Sequence, residues 1–165
     1  MARLVMLLVL FVLPAIAMAG RKGVIGKNTM VVQGRTYCDT CKFGFETTES
    51  SYFIPGATVK LSCKHRQTME ETYSDLAVSD KKGNYKFIVH EDHKDEMCDV
   101  ELVKSSDESC SKISVGREKS RVILNHYSGI ATQMRLANNM GFEKEVSDVF
   151  CSELIKKYIV DEDED

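Results

Sequence analysis

The stretch Met30–Cys41 reads MVVQGRTYCDTC, and the rest of the chain can be interpreted outward from it. Its first eight residues, Met30–Tyr37, are apolar and β-branched around Gly34, which predicts a β-strand. Cys38 and Cys41 follow at the end of that strand. Cysteines at this spacing in an extended chain lie about 10 Å apart and point to opposite faces, beyond disulfide reach. If the segment is extended, each cysteine therefore needs a distant partner.

The N-terminus predicts secretion. Residues 1–19 contain an early Arg3, the apolar run Leu4–Leu13 and the small-residue pattern Ala17–Ala19. These features are typical of a signal peptide, so Gly20 is the expected first residue of the secreted protein. The apolar run is too short for a membrane span, and we expect no membrane insertion.

The rest of the chain has the length of one ordinary domain. We predict a flexible leader over residues 20–28, a single disulfide-stapled β-domain over 29–160 and an acidic tail over 161–165. The formal net charge of the whole chain is −3, and lysines and acidic residues are interspersed through most of it. Because no basic stripe is present, we expect no nucleic-acid partner.

Six cysteines lie downstream of the signal, and oxidising conditions outside the cell favour their pairing. They are Cys38, Cys41, Cys63, Cys98, Cys110 and Cys151. Their spacing does not choose among the possible pairings. Two alternatives remain beside structural disulfides: a redox C-x-x-C pair made by Cys38 and Cys41, and a zinc site that adds His90 and His93. The residues after Cys41 lack the helical pattern that a redox pair requires.

Short alternating segments separated by turn signals predict a mainly β fold, an antiparallel β-sandwich or barrel-like domain. Residues 42–55 are expected to form a loop. Further strands are predicted at 57–63, 71–79, 84–89, 98–103 and 121–124. Apolar residues recur at four-residue spacing near the C-terminus, which predicts an amphipathic helix over Ser147–Tyr158, capped by Ser147 and packed on the sheet.

Candidate sites for chemistry are few. The segment His90-Glu91-Asp92-His93, followed by Asp95 and Glu96, concentrates metal-capable side chains, but it also has the composition of a solvated turn. It has neither EF-hand spacing nor the H-E-x-x-H pattern, so weak cation binding is an open alternative. No nucleophile elbow, phosphate loop or dinucleotide fingerprint occurs. We therefore expect no catalytic residues and no cofactor.

The segment Gln33–Lys42 closely resembles the signature of the olive-type major pollen allergen and extensin-like family of plants. The signature residues are Gly34, Tyr37, Cys38, Asp39, Cys41 and the basic Lys42. Similar segments follow in the family's order around Gly44, Gly56, Tyr85, Cys98 and Cys110. No Asn-x-Ser/Thr sequon is present, so the glycan of some relatives is expected to be absent.

The resemblance implies a small secreted β-barrel or sandwich with three disulfides. By cysteine order these would be Cys38–Cys110, Cys41–Cys151 and Cys63–Cys98. It also implies a non-enzymatic protein of the extracellular space, associated with pollen or the cell wall. We expect it to bind a receptor, a wall component or another apoplastic protein. The competing classes are a C-x-x-C thiol–disulfide oxidoreductase and a small-ligand carrier.

Overall fold

The computed structural model describes residues 29–160, which form two β-sheets and one short C-terminal helix. The predictions for the signal peptide, the leader and the acidic tail lie outside these residues. The strands are β1 (Met30–Asp39), β2 (Ser51–Phe53), β3 (Thr58–His65), β4 (Glu71–Val78), β5 (Asn84–Val89), β6 (Glu96–Lys104), β7 (Lys112–Ile113), β8 (Lys119–Val122), β9 (Met134–Leu136) and β10 (Met140–Glu143). Helix α1 covers Cys151–Val160, and a 3₁₀ turn covers Glu108–Cys110.

Strand β1 organises the first sheet because its two halves pair with different neighbours. Residues 30–35 pair with β5, and residues 37–39 pair with β2. On the other side β1 contacts β9 and then β10, and β10 also pairs with β7. The second sheet has the order β4-β3-β6-β8. The predicted mainly β class with a short helix and three disulfides is confirmed.

One part of the fold prediction needs correction: the first sheet is mixed rather than purely antiparallel. Strands β9 and β10 both run parallel to β1. They are two of the three short strands after residue 110 that the sequence did not predict; β7 is the third. The predicted loop over residues 42–55 also contains β2. These strands have two to four residues, too few to show a hydrophobic period. They form because the backbone of β1 or β10 is available for them to hydrogen-bond with.

The core lies between the sheets and follows the predicted alternation closely. On β5, Tyr85, Phe87 and Val89 are buried, whereas Lys86 and Ile88 are exposed. On β6, the buried residues are Cys98, Val100 and Leu102. The largest fully buried side chains come from both sheets and include Tyr37, Tyr85, Phe87, Phe142, Met30 and Leu61. Apolar burial on two facing sheets therefore supplies the main stabilising contribution.

The C-terminal helix differs from its prediction in both position and packing. It begins at Cys151 rather than Ser147, because the amide of Asp148 donates to the carbonyl of Thr40 and Cys151 is bonded to Cys41. Residues 144–148 therefore form an irregular connection with a bend at residues 145 and 146. Val146 and Phe150, expected on the packed face, are exposed. The helix instead contacts the segment after Cys41, where Tyr158 makes edge contacts with Phe43 and Phe45. No helix among residues 29–160 is long and apolar enough to cross a membrane.

Acid is expected to loosen this helix through Glu49. Its carboxylate accepts hydrogen bonds from Lys157 and Tyr158, and the bond from Lys157 is the main reason that the pKa of Glu49 falls from 4.5 to about 2. The contact is present above pH 4.5 and is lost as the pH falls through about 2. We expect the NMR signals of the Tyr158 ring to report this loss. A Glu49→Gln chain should lack the transition and a Glu153→Gln chain should keep it; an unchanged response in Glu49→Gln contradicts the assignment.

Candidate functional site

The C-x-x-C segment forms two long-range disulfides. Cys38 is bonded to Cys110 and Cys41 to Cys151, across 72 and 110 residues of sequence. The third disulfide, Cys63–Cys98, joins β3 to β6. These are the pairs that the resemblance implies. Because the sulfurs of Cys38 and Cys41 have different partners, neither the redox pair nor the zinc site proposed for this segment is formed.

The polar residues of the same segment bind the chain's own backbone. The buried carboxylate of Asp39 accepts from the amides of Cys41 at 3.1 Å and Gly44 at 2.8 Å. Lys42 adopts a positive φ of 57°, and its ammonium donates to the carbonyl of Glu145 at 2.6 Å. The signature therefore fixes the turn after β1 and ties it to the C-terminal connection.

Two glycine–tyrosine pairs explain the other signature residues. Gly34 lies opposite Tyr85, and Gly141 lies opposite Tyr37, each pair on neighbouring strands. A Cβ atom at Gly34 would lie 2.7 Å from the Cζ atom of Tyr85, and one at Gly141 would lie 2.7 Å from the Cζ atom of Tyr37. Each glycine thus leaves room for an aromatic ring to lie across the strand, which any larger residue would prevent.

A groove crosses β5, β1 and β9 beside the first of these pairs. We call it the Tyr85 groove, and its volume is about 640 Å³. Its walls contain both polar and apolar residues, and Val78 and Leu136 are exposed apolar residues of the lining. The polar lining comes from Gln33, Arg35, Asp80, Asn84, Tyr85, Lys86 and Asn139. A few polar groups converging on one concavity are typical of a ligand site.

The hydroxyl of Tyr85 is an unusual group in the protein wall beneath this groove. The side chain is buried, and its oxygen has no hydrogen-bond partner among the described residues. Burial raises the pKa of Tyr85, so the group remains a neutral hydroxyl that can both donate and accept. The oxygen is closed off from solvent, and an unpartnered buried hydroxyl costs stability.

The charges around the groove favour an anionic, hydroxylated ligand. The Arg35 guanidinium donates to the Asn84 side chain at 2.7 Å and lies 4.8 Å from the centre of the Phe53 ring. Lys86 is exposed and has no side-chain partner among residues 29–160. The Asp80 carboxylate accepts hydrogen bonds from the backbone amide and the side chain of Asn84 and from the amide of Lys82, which lower its pKa. Two cations therefore face the groove while its one carboxylate is already hydrogen-bonded.

The histidine-rich loop is solvated at residues 90–92, 94 and 95, as its composition predicts, whereas His93 is buried and the metal-capable residues of the loop separate. His90 contacts Thr29 through Nδ1 at 3.2 Å, and Asp92 accepts from the amide of His126. His93 is buried and contacts Glu96. The loop therefore does not gather His90, Asp92 and His93 around one cation.

Comparison with known proteins agrees with the signature. A family model described as "Pollen protein Ole e 1 like" matches residues 28–159. The chain belongs to this family. It is 38% identical over 160 residues to the protein DOWNSTREAM OF FLC of Arabidopsis thaliana, covering 97% of this chain and 93% of that protein. It is 42% identical over 124 residues to the anther-specific protein LAT52 of Solanum lycopersicum, covering 75% and 76%.

A solved structure is also similar to this member of the Ole e 1-like family. The crystal structure of the major plantain pollen allergen Pla l 1 superposes with a TM-score of 0.65 at 29% identity. The match covers 73% of this chain and 97% of that one. The similarity of fold therefore agrees with the family signature in the sequence. The Tyr85 groove, in contrast, was not predicted from the sequence. Its only sequence signal is Gly34, whose cross-strand partner depends on the register of β1 and β5.

Proposed function

We propose that this protein is a secreted, non-enzymatic protein of the plant extracellular space that binds an acidic cell-wall polysaccharide in the Tyr85 groove. The observation that carries the proposal is the open groove of about 640 Å³ whose lining includes the two cations Arg35 and Lys86. A galacturonan supplies carboxylates for both cations and hydroxyl groups for the polar residues beside them. The pollen and anther proteins among its relatives support an extracellular setting.

The same evidence ranks the competing functions. An oxidoreductase built on the C-x-x-C segment has no support, because Cys38 and Cys41 are bonded elsewhere. A carrier with an enclosed cavity is not favoured, since large side chains such as Phe87, Phe142 and Leu61 fill the space between the sheets. An open groove fits a segment of a polymer better than a fully enclosed small molecule.

Calorimetric titration of the oxidised chain with oligogalacturonate tests the proposal. We expect binding that weakens with added salt, since the attraction is partly between charges. Arg35→Gln should bind about fivefold to tenfold more weakly, because a hydrogen bond between charged groups is lost. Tyr85→Phe should bind like the wild type, because the hydroxyl is closed off from the groove, and it should not lower the free energy of unfolding, since the hydroxyl has no partner.

Matched controls make the result specific. Lys86→Gln should weaken binding, whereas Lys119→Gln, which changes an exposed lysine outside the groove, should not. The proposal is contradicted if Arg35→Gln and Lys86→Gln bind oligogalacturonate like the wild type. It is also contradicted if a neutral galactan binds equally well, or if the chain binds a receptor ectodomain and no polymer.

Secretion makes a separate prediction. Protein recovered from the culture medium of plant cells should begin at or near Gly20, because Ala17–Ala19 provides the small residues that precede signal cleavage. N-terminal sequencing measures this directly. An Ala17→Arg/Ala19→Arg chain should be retained or miscleaved, and extracellular protein that still carries Met1 contradicts the prediction.

A further inference from the structure

The disulfide Cys63–Cys98 has a different environment from the other two. Its cysteines lie directly opposite each other on β3 and β6. A ring nitrogen of His93 and a carboxylate oxygen of Glu96 lie with the two sulfurs so that all four atoms are within 4.8 Å of one another. Among residues 29–160, no other group of this kind includes a disulfide.

His93 has one nitrogen engaged and one available. Its side chain is 4% exposed, and Nδ1 lies 2.6 Å from the Glu96 carboxylate. An ionised carboxylate only accepts hydrogen bonds, so in the neutral ring Nδ1 carries the proton and Nε2 carries a lone pair. Nε2 is buried and has no partner among the described residues. A histidine held by a carboxylate on one nitrogen, with the other free, is the usual arrangement around a bound metal ion.

The surroundings hold this cluster in place and leave a cavity beside it. The amide of His93 donates to the carbonyl of Leu124, and the ring lies 5.0 Å from that of Tyr73. A cavity of about 260 Å³ is lined by His93, Glu96 and Cys98. The cluster is therefore preorganised, and the cavity borders its His93, Glu96 and Cys98 side, whereas Cys63 is fully buried.

The fold tolerates opening of this disulfide better than opening of the others. It spans 35 residues, against 72 and 110 for the other two. The strands it joins are also paired along their whole length from Thr58 to His65. After reduction these strands remain aligned by their hydrogen bonds, so the two sulfurs stay close to each other and to His93.

We propose that Cys63, Cys98 and His93 form a zinc site that is closed by oxidation and opened by reduction. An external dithiol transfers two electrons and two protons to the disulfide, which gives two thiols, and is itself oxidised to a disulfide. Zn²⁺ then displaces the two thiol protons and binds two thiolates and one imidazole nitrogen. Glu96 holds the histidine ring, and the fourth position faces the cavity. This inference does not depend on the groove.

Cobalt titration under anaerobic conditions tests this site, with Co²⁺ as a coloured substitute for Zn²⁺. The chain is first treated with a phosphine reductant. We expect one equivalent of Co²⁺ to bind with the absorption of a tetrahedral thiolate complex and to be displaced by Zn²⁺. His93→Gln should alter that absorption, and Glu96→Gln should weaken Zn²⁺ binding about 10- to 100-fold. A Cys63→Ser/Cys98→Ser chain should show neither the Co²⁺ absorption nor Zn²⁺ binding at this site.

Two controls separate the site from unspecific thiol binding. His90→Gln changes a histidine outside the cluster, and Cys41→Ser/Cys151→Ser removes two other sulfurs; both chains should keep the signal. Circular dichroism follows the sheets throughout. The proposal is overturned if the reduced, folded chain binds no Co²⁺ or if the chain unfolds even with Zn²⁺ present. Equal binding by Cys63→Ser/Cys98→Ser overturns it as well.

Discussion

A Cys41→Ser/Cys151→Ser chain is expected to lose about 2–5 kcal/mol of its free energy of unfolding while keeping a folded β signal. The bond closes the longest of the three disulfide loops, 110 residues, so its removal releases the most entropy to the unfolded chain. It also anchors the start of helix α1, which has few other ties to the sheets and rests mainly on the segment Phe43–Glu49. The helix should therefore loosen first.

Denaturant unfolding followed by far-ultraviolet circular dichroism measures the loss, and hydrogen exchange locates it. Cys63→Ser/Cys98→Ser is the matched control, because its 35-residue loop predicts a cost about 1 kcal/mol smaller. Exchange should rise over Cys151–Val160 in the first variant only. Peptide mapping of the unreduced wild type provides a second check: a Cys38–Cys41 bridge contradicts the connectivity and restores the redox interpretation.

Tyr37→Ala is expected to cost about 3–5 kcal/mol, the range for truncating a buried aromatic residue. The ring is 1% exposed and lies across Gly141 on the neighbouring strand. Gly141→Ala should cost about 1–3 kcal/mol in the wild type, because the new methyl group overlaps the ring. In the Tyr37→Ala chain the same glycine substitution should cost close to nothing, since the ring is gone.

This double-mutant cycle is measured by urea unfolding of the four chains. Tyr127→Ala, at a tyrosine that is 91% exposed, serves as the control and should leave stability unchanged. Additive effects of Tyr37→Ala and Gly141→Ala contradict the assigned contact, because two residues that do not touch are expected to act independently.

Local sequence patterns predicted the strands that are long enough to show a hydrophobic alternation. The alternation on β5 and β6 placed Tyr85, Phe87, Cys98 and Val100 in the core, where the structure has them. The three short strands after residue 110 carry too few residues for a period, and their parallel pairing with β1 or antiparallel pairing with β10 is set by the tertiary structure. The helix start was missed because a disulfide and a backbone bond at Thr40 override local propensity.

The candidate sites were predictable only where one segment contains them. The signature residues Asp39 and Lys42 lie in one segment, and the sequence singled them out, although the carbonyl that Lys42 reaches belongs to the distant Glu145. The Tyr85 groove and the Cys63–His93 cluster each join residues from several strands or loops. Their positions follow from strand register, and a hydrophobic pattern does not specify which polar side chains meet across it.

The most direct test of the proposed function is a map of the bound surface. Backbone NMR signals of the oxidised chain are followed while oligogalacturonate is added. We predict that the largest shifts fall on residues 33–35, 84–86 and 136–139, which line the Tyr85 groove. Shifts that are absent at saturating ligand, or that concentrate on another surface such as residues 144–150, contradict the account.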